Sequence, residues 1–100
     1  MSTIPPDATV LGLDLGGTQI RAALVRADGS RIGRAAASTP IAEGPAAIVD
    51  ACVRTLALSR ALAATEDPGA VTRLLGIGIS APGPIDPWTG VAIEPANLGR

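Results

Sequence analysis

The stretch that decides the fold is Val10-Leu11-Gly12-Leu13-Asp14-Leu15-Gly16-Gly17-Thr18-Gln19-Ile20-Arg21-Ala22-Ala23-Leu24-Val25. It reads as two apolar strands joined by a turn at Gly16, Gly17 and Thr18. On the first strand Leu11, Leu13 and Leu15 share one face, and Val10, Gly12 and Asp14 share the other. A carboxylate near the end of a strand, followed by two glycines and a hydroxyl, suits a phosphate and its metal ion. Glycine lets main-chain N–H groups come close to an anion. Thr18 adds a hydroxyl, and Asp14 can hold Mg²⁺ directly or through water. Taken alone, the same residues also fit a plain hairpin with a Gly-Gly turn.

Outward from this hairpin, the first strand is expected over about residues 9–15 and the second over about 19–26. Ala27-Asp28-Gly29-Ser30 is a turn signal, and an alanine-rich third strand follows over about 31–39. Three consecutive strands with tight turns make an antiparallel meander. Gly44-Pro45 opens a helix running to about Ala64, with proline at a tolerated first-turn position. Ile48, Val49, Cys52, Val53, Leu56 and Leu62 give that helix a face for the sheet. Asp50 and Arg54 pair at i, i+4 on its wet side. Cys52 reads as a small core residue rather than a reactive thiol. Residues 65–69 read as a polar loop.

Arg73 to Ser80 reads as a buried strand, with Leu75, Ile77 and Ile79 on one face and Gly76, Gly78 and Ser80 on the other. Ala81-Pro82-Gly83-Pro84 follows and cannot open the helix that a dinucleotide-binding fingerprint needs. Residues 80–86 form a stiff loop at a strand end, a common place for ligand contacts. Asp86 to Gly90, with Trp88, is a turn, and residues 91–93 are a short strand. Asn97 can both donate to and accept from a sugar hydroxyl, though a lone Asn also serves as a turn residue.

Composition narrows the class. The chain has 100 residues, nine prolines, twelve glycines and one aromatic residue, and 47% of it is hydrophobic. That suffices for one small domain. All eight basic residues are arginine, scattered along a chain of net charge −1, so no basic run favours nucleic acid or a membrane surface. There is no lysine, so no P-loop. The single cysteine fits a reducing cytoplasm. No apolar run reaches membrane-spanning length, and the first eight residues have neither the charged start nor the apolar run of a signal peptide. Residues 1–8 are expected to be a flexible tail. Asn97-Leu98-Gly99-Arg100 comes without a closing element, so a front portion of a longer protein is expected.

Leu13-Asp14-Leu15-Gly16-Gly17-Thr18, then residues 76–86 from Gly76 to Asp86, then Gly90 and Asn97-Leu98 together resemble the ROK family of repressors, open reading frames and sugar kinases. The resemblance runs from Val10 to Gly99. The first motif is common to sugar kinases, actins and Hsp70-type ATPases, whereas Ala81-Pro82-Gly83-Pro84 is more specific to ROK proteins. The resemblance implies an α/β fold of the ribonuclease H-like class found in actin, hexokinase and Hsp70. Residues 9–100 would be its incomplete N-terminal lobe, a mixed sheet with a three-strand meander plus helix. It implies transfer of a phosphoryl group from ATP to a hexose or amino sugar, with Mg²⁺ assisting. Asp14, Gly16, Gly17, Thr18 and Gln19 would then bind the nucleotide, Asp14 on the metal side. Gly83, Pro84 and Asn97 would lie by the sugar. The family's catalytic aspartate, in an Asn-Asp pair, has no counterpart in residues 1–100 and is expected beyond Arg100. So is any structural Zn²⁺ site, since the chain has no histidine and one cysteine. A cytoplasmic homodimer acting on small molecules, without nucleic acid or membrane partners, is the implied whole protein. Two alternatives stay open: a sugar-responsive ROK repressor whose DNA-binding domain is not in this chain, and an ATP-binding module with no sugar.

Overall fold

The structure, a computed structural model, describes residues 4–81. Its elements are strands β1 (Thr9–Leu15), β2 (Gln19–Val25) and β3 (Arg31–Ser38), helices α1 (Pro45–Glu66) and α2 (Pro68–Thr72), and strand β4 (Leu74–Ser80). The sheet order is β3-β2-β1-β4. β1, β2 and β3 form the expected antiparallel meander, and β4 lies parallel to β1. The result is an α/β fold on a mixed sheet.

Period-two alternation sends Leu11 and Leu13 of β1, and Ile20, Ala22 and Leu24 of β2, under α1, where all five are buried. α1 starts where expected, with Pro45 at its first position, and carries the Arg54–Asp50 pair at 3.0 Å. Its buried face differs from the expected one. Ile48, Ala51, Thr55, Ser59 and Ala63 are buried, and Cys52 and Leu56 are partly so. Val49 and Val53 are 63% and 58% exposed, and Leu62 lies at the exposed margin.

The cause is a bulge in β3. Ala22 pairs with Ala35 and Leu24 with Ile32, so Gly33 and Arg34 together oppose Ala23. Gly33 has φ +63°, and a Cβ on it would lie 2.7 Å from the Ala63 nitrogen and 2.8 Å from the Ala63 Cβ. The helix main chain thus rests directly on the bulge. Only small residues fit between, so Ser59 and Ala63 take the contact and the valines turn away. The Gly33 N–H, freed from the ladder, donates to the Glu66 carboxylate.

Two further expectations are corrected. Residues 65–69 are not a loop: α1 runs on to Glu66, and Asp67 caps α2 by accepting the Ala70 N–H at 3.2 Å. β4 is not buried among the described residues. Every residue from Leu75 to Ser80 is exposed, because α1 covers the other three strands and nothing described covers this one.

Candidate functional site

The β1–β2 turn stands at the end of the sheet, closed by one bond from the Gly16 N–H to the Gln19 carbonyl at 3.0 Å. Thr39, just past β3, clamps it from the side. Its hydroxyl donates to the Gly16 carbonyl at 2.8 Å, and its N–H donates to the Thr18 carbonyl at 3.0 Å. Two turn carbonyls are therefore directed toward Thr39. The N–H groups of Gly17 and Thr18 and the Thr18 hydroxyl enter none of the turn's hydrogen bonds. Such a backbone loop offers donors to an anion. A Cβ on Gly16 would sit 3.0 Å from the Gln19 carbonyl oxygen, so a side chain there would press on the closing bond.

Asp14 is exposed on the face of the sheet away from α1. It stands in a row across three strands, opposite Arg21 of β2 and beside Ser80 of β4. Directly opposed side chains on antiparallel strands have Cβ atoms about 5 Å apart. Asp14 nevertheless makes no ion pair among the described residues, so its carboxylate oxygens are available. The Arg21 Nε donates to the Gln19 Oε1 at 2.9 Å, leaving the Gln19 amide N–H₂ as a donor. Behind this row, Gly12, Gly78, Ala23 and Ala36 floor an open groove of about 770 Å³.

The structure thus brings together Asp14, Gly16, Gly17, Thr18 and Gln19. Gly83, Pro84 and Asn97 lie outside the described residues. No group of three potential metal-ligating side chains exists among the described residues. A cation at Asp14 would have this one carboxylate, with its remaining ligands from water and a bound phosphate, the usual manner of Mg²⁺. The donor set fits that ion. Sequence reasoning missed Arg21, Ser80 and Thr39. Arg21 was within reach of it: a hairpin pairing Leu15 with Ile20 must also pair Asp14 with Arg21. Thr39 was not, because its role depends on where β3 ends relative to the turn.

Comparison with known proteins adds three findings. The ROK family profile matches residues 10–100. A ROK hexokinase from Thermus thermophilus, solved by crystallography, is similar in structure with a TM-score of 0.57 and 34% sequence identity. That match covers 84% of this chain and 25% of the hexokinase, so the chain spans about a quarter of that protein's length. No curated protein matches the chain.

Proposed function

The chain belongs to the ROK family, and from that premise we propose that the whole protein transfers the γ-phosphoryl group of ATP to a hydroxyl of a hexose or amino sugar. The observation that carries this reading is the Thr39 clamp. It holds the carbonyls of Gly16 and Thr18, while N–H groups and a carboxylate, Asp14, that are unpaired among the described residues stand at the same end of the sheet. Phosphoryl transfer asks a protein for positioning and charge neutralisation more than for covalent chemistry.

In this reading the N–H groups of Gly17 and Thr18 donate to phosphate oxygens, joined by the Thr18 hydroxyl and the Gln19 amide. Asp14 would hold Mg²⁺, which supplies neutralisation of the phosphate charge. Arg21, two residues along the same strand, fixes the Gln19 side chain through its carbonyl, so that the amide N–H₂ is the end left to face the nucleotide. Gly83, Pro84 and Asn97 take the sugar, and the proton of its hydroxyl passes to an aspartate supplied beyond Arg100. The whole protein is proposed to be a cytoplasmic homodimer, with any zinc held outside residues 1–100. No helix among the described residues is long and apolar enough to cross a membrane.

The test is Asp14→Asn in the whole protein, assayed for ATP-dependent sugar phosphorylation over a range of Mg²⁺ concentrations. Loss of one charge-stabilising group predicts a fall in kcat on the order of 100-fold or more and a raised Mg²⁺ requirement, with the melting temperature held. An unchanged rate at unchanged Mg²⁺ requirement removes Asp14 from the site and the proposal with it.

A further inference from the structure

The face of the sheet away from α1 carries more than Asp14. Strand register lays it out in three rows. The first holds Ala36, Arg21, Asp14 and Ser80. The second holds Arg34, Ala23, Gly12 and Gly78, and the third Arg31, Val25, Val10 and Gly76. Arg34 reaches this face because the bulge inserts one residue, Gly33, between it and Ile32. In an unbroken alternation Arg31 and Arg34 would point to opposite faces.

Three arginines thus edge the groove of about 770 Å³, and Asp14 is the only acid lining it. Arg34 opposes Ala23, so Arg21 is its diagonal neighbour at about 7–8 Å, close enough for two long side chains to meet on one anion. Arg31 follows one row further along β3. The Arg31 and Arg34 guanidiniums enter no ion pair among the described residues. Arg21 commits only its Nε to Gln19. Charges on β3 protect an edge strand, but Arg21 stands on β2, which has neighbours on both sides. Like charges gathered on one sheet face repel each other unless an anion joins them.

The floor is the second observation. Gly12, Gly76 and Gly78 do not have positive φ. A Cβ on Gly76 or Gly78 would meet nothing within 4 Å, and one on Gly12 would make ordinary contacts at 3.8 Å. Neither conformation nor packing among the described residues therefore demands glycine there. Glycine weakens a strand interior, and it marks places where another group approaches the main chain closely. With Ala23 these glycines leave a bare strip of main chain and one methyl group beside the arginines.

We propose that this groove is a second anion site: it binds a phosphomonoester whose phosphate lies among Arg21, Arg34 and Arg31 and whose flat apolar body rests on Gly12, Ala23 and Gly78. Guanidinium forks match phosphate oxygens in pairs. A phosphate alone would leave most of the groove unfilled, since its volume is that of a small-molecule site. The row of Arg31 and Val10 lies four residues from the row of Asp14, about 13 Å along the strand. This phosphate is therefore not the one assigned to Gly17 and Thr18, and the site is independent of the phosphoryl transfer proposed above.

Calorimetric titration of the whole protein with phenyl phosphate and with inorganic phosphate tests the site without turnover. Phenyl phosphate is expected to bind about 10-fold more tightly, because its ring covers apolar floor. Arg31→Ala combined with Arg34→Ala should weaken it about 100-fold, the loss of two charge-assisted contacts. Arg54→Ala combined with Arg60→Ala removes the same charge from exposed positions on α1 and should leave binding unchanged. If the first pair prevents folding, Arg34→Lys keeps the charge without the fork and should weaken binding about 10-fold. Equal affinity for the two ligands overturns the proposal, and so does equal loss in the two arginine pairs, the sign of diffuse attraction. Displacement by saturating Mg·ATP also overturns it, by making the groove part of the nucleotide's own path. So does the absence of saturable binding, the result expected if polypeptide covers this face.

Discussion

A methyl group at Gly33 has no space to occupy. The residue sits at φ +63°, and its missing Cβ would run into the main chain of α1 at Ser59 and Ala63. Gly33→Ala should therefore lose roughly 1 kcal/mol to backbone strain and roughly 1–3 kcal/mol more to overpacking, read as a shifted midpoint in urea. Gly29 separates the two effects. It has φ +87° with open space around it, so Gly29→Ala should show the strain alone. Equal losses at the two sites would mean that α1 does not press on the bulge. The same contact explains Ser59, which is fully buried with its hydroxyl lacking a partner among the described residues. Ser59→Ala removes an unsatisfied polar group without changing the fit, so stability should hold or rise by about 1 kcal/mol. A clear loss would show that the hydroxyl has a partner after all. Neither residue announces itself in the sequence. A glycine in an alanine-rich strand reads as a weak strand, and a serine at the centre of a helix face reads as wet.

The elements were legible to different degrees, and the reason is whether their signal is local. Alternating leucines around Gly16-Gly17-Thr18 fix both strands and the turn at once, since register follows from the turn. The inner face of α1 is set by the distant bulge, so the helical spacing of its apolar residues placed Val49 and Val53 on the wrong side. Asp67-Pro68-Gly69 was ambiguous because turn formers and helix starters are the same residues. The structure resolves it: Asp67 caps α2, and it also meets Arg26 at 3.0 Å, joining the helix start to the end of β2. The Arg26 guanidinium chiefly, with the Ala70 N–H, holds the Asp67 carboxyl below its usual range. A carboxylate depressed on folding stabilises the fold above its unfolded pKa of about 3.9, and that contribution disappears as pH falls through the lower folded value. Asp67→Asn should accordingly flatten the acid side of the stability profile below about pH 4. It should also reduce hydrogen-exchange protection of the Ala70 amide at neutral pH. An acid limb identical to wild type would show that the Arg26–Asp67 pair contributes nothing.

At the scale of the whole molecule, the turn and carboxylate that we propose to meet the nucleotide stand out in residues 14–19, whereas the proposed sugar end rests on resemblance alone, its residues lying outside those described. The exposure of β4 was unreadable for a different reason. Its sequence is that of a buried strand, and no described element covers it. The acids present bear on what residues 1–100 can do. Sugar phosphorylation needs a carboxylate within hydrogen-bond reach of the attacking hydroxyl, on the sugar side of the phosphate. Of the described acids, Asp67 and Asp50 are paired with Arg26 and Arg54, Asp7 lies 3.4 Å from Arg73, and Glu66 accepts the Gly33 N–H. Asp28 accepts the Ser30 hydroxyl at 2.6 Å in the opposite turn, and Glu43 belongs to the connection into α1. Among the described acids Asp14 alone stands at the candidate site, where we propose that it serves the metal. Asp86 and Glu94 lie outside the described residues, and neither stands in the Asn-Asp pair that the family resemblance implies, so residues 1–100 with Mg·ATP and glucose should form no sugar phosphate above the uncatalysed background. The proposed phosphate cradle draws only on the hairpin and Thr39, so Mg·ATP should still shift the Gly17 and Thr18 amide resonances, with a Kd on the order of millimolar. Turnover by this chain would place a base within residues 1–100, and amide shifts absent at saturating nucleotide would remove the proposed cradle itself.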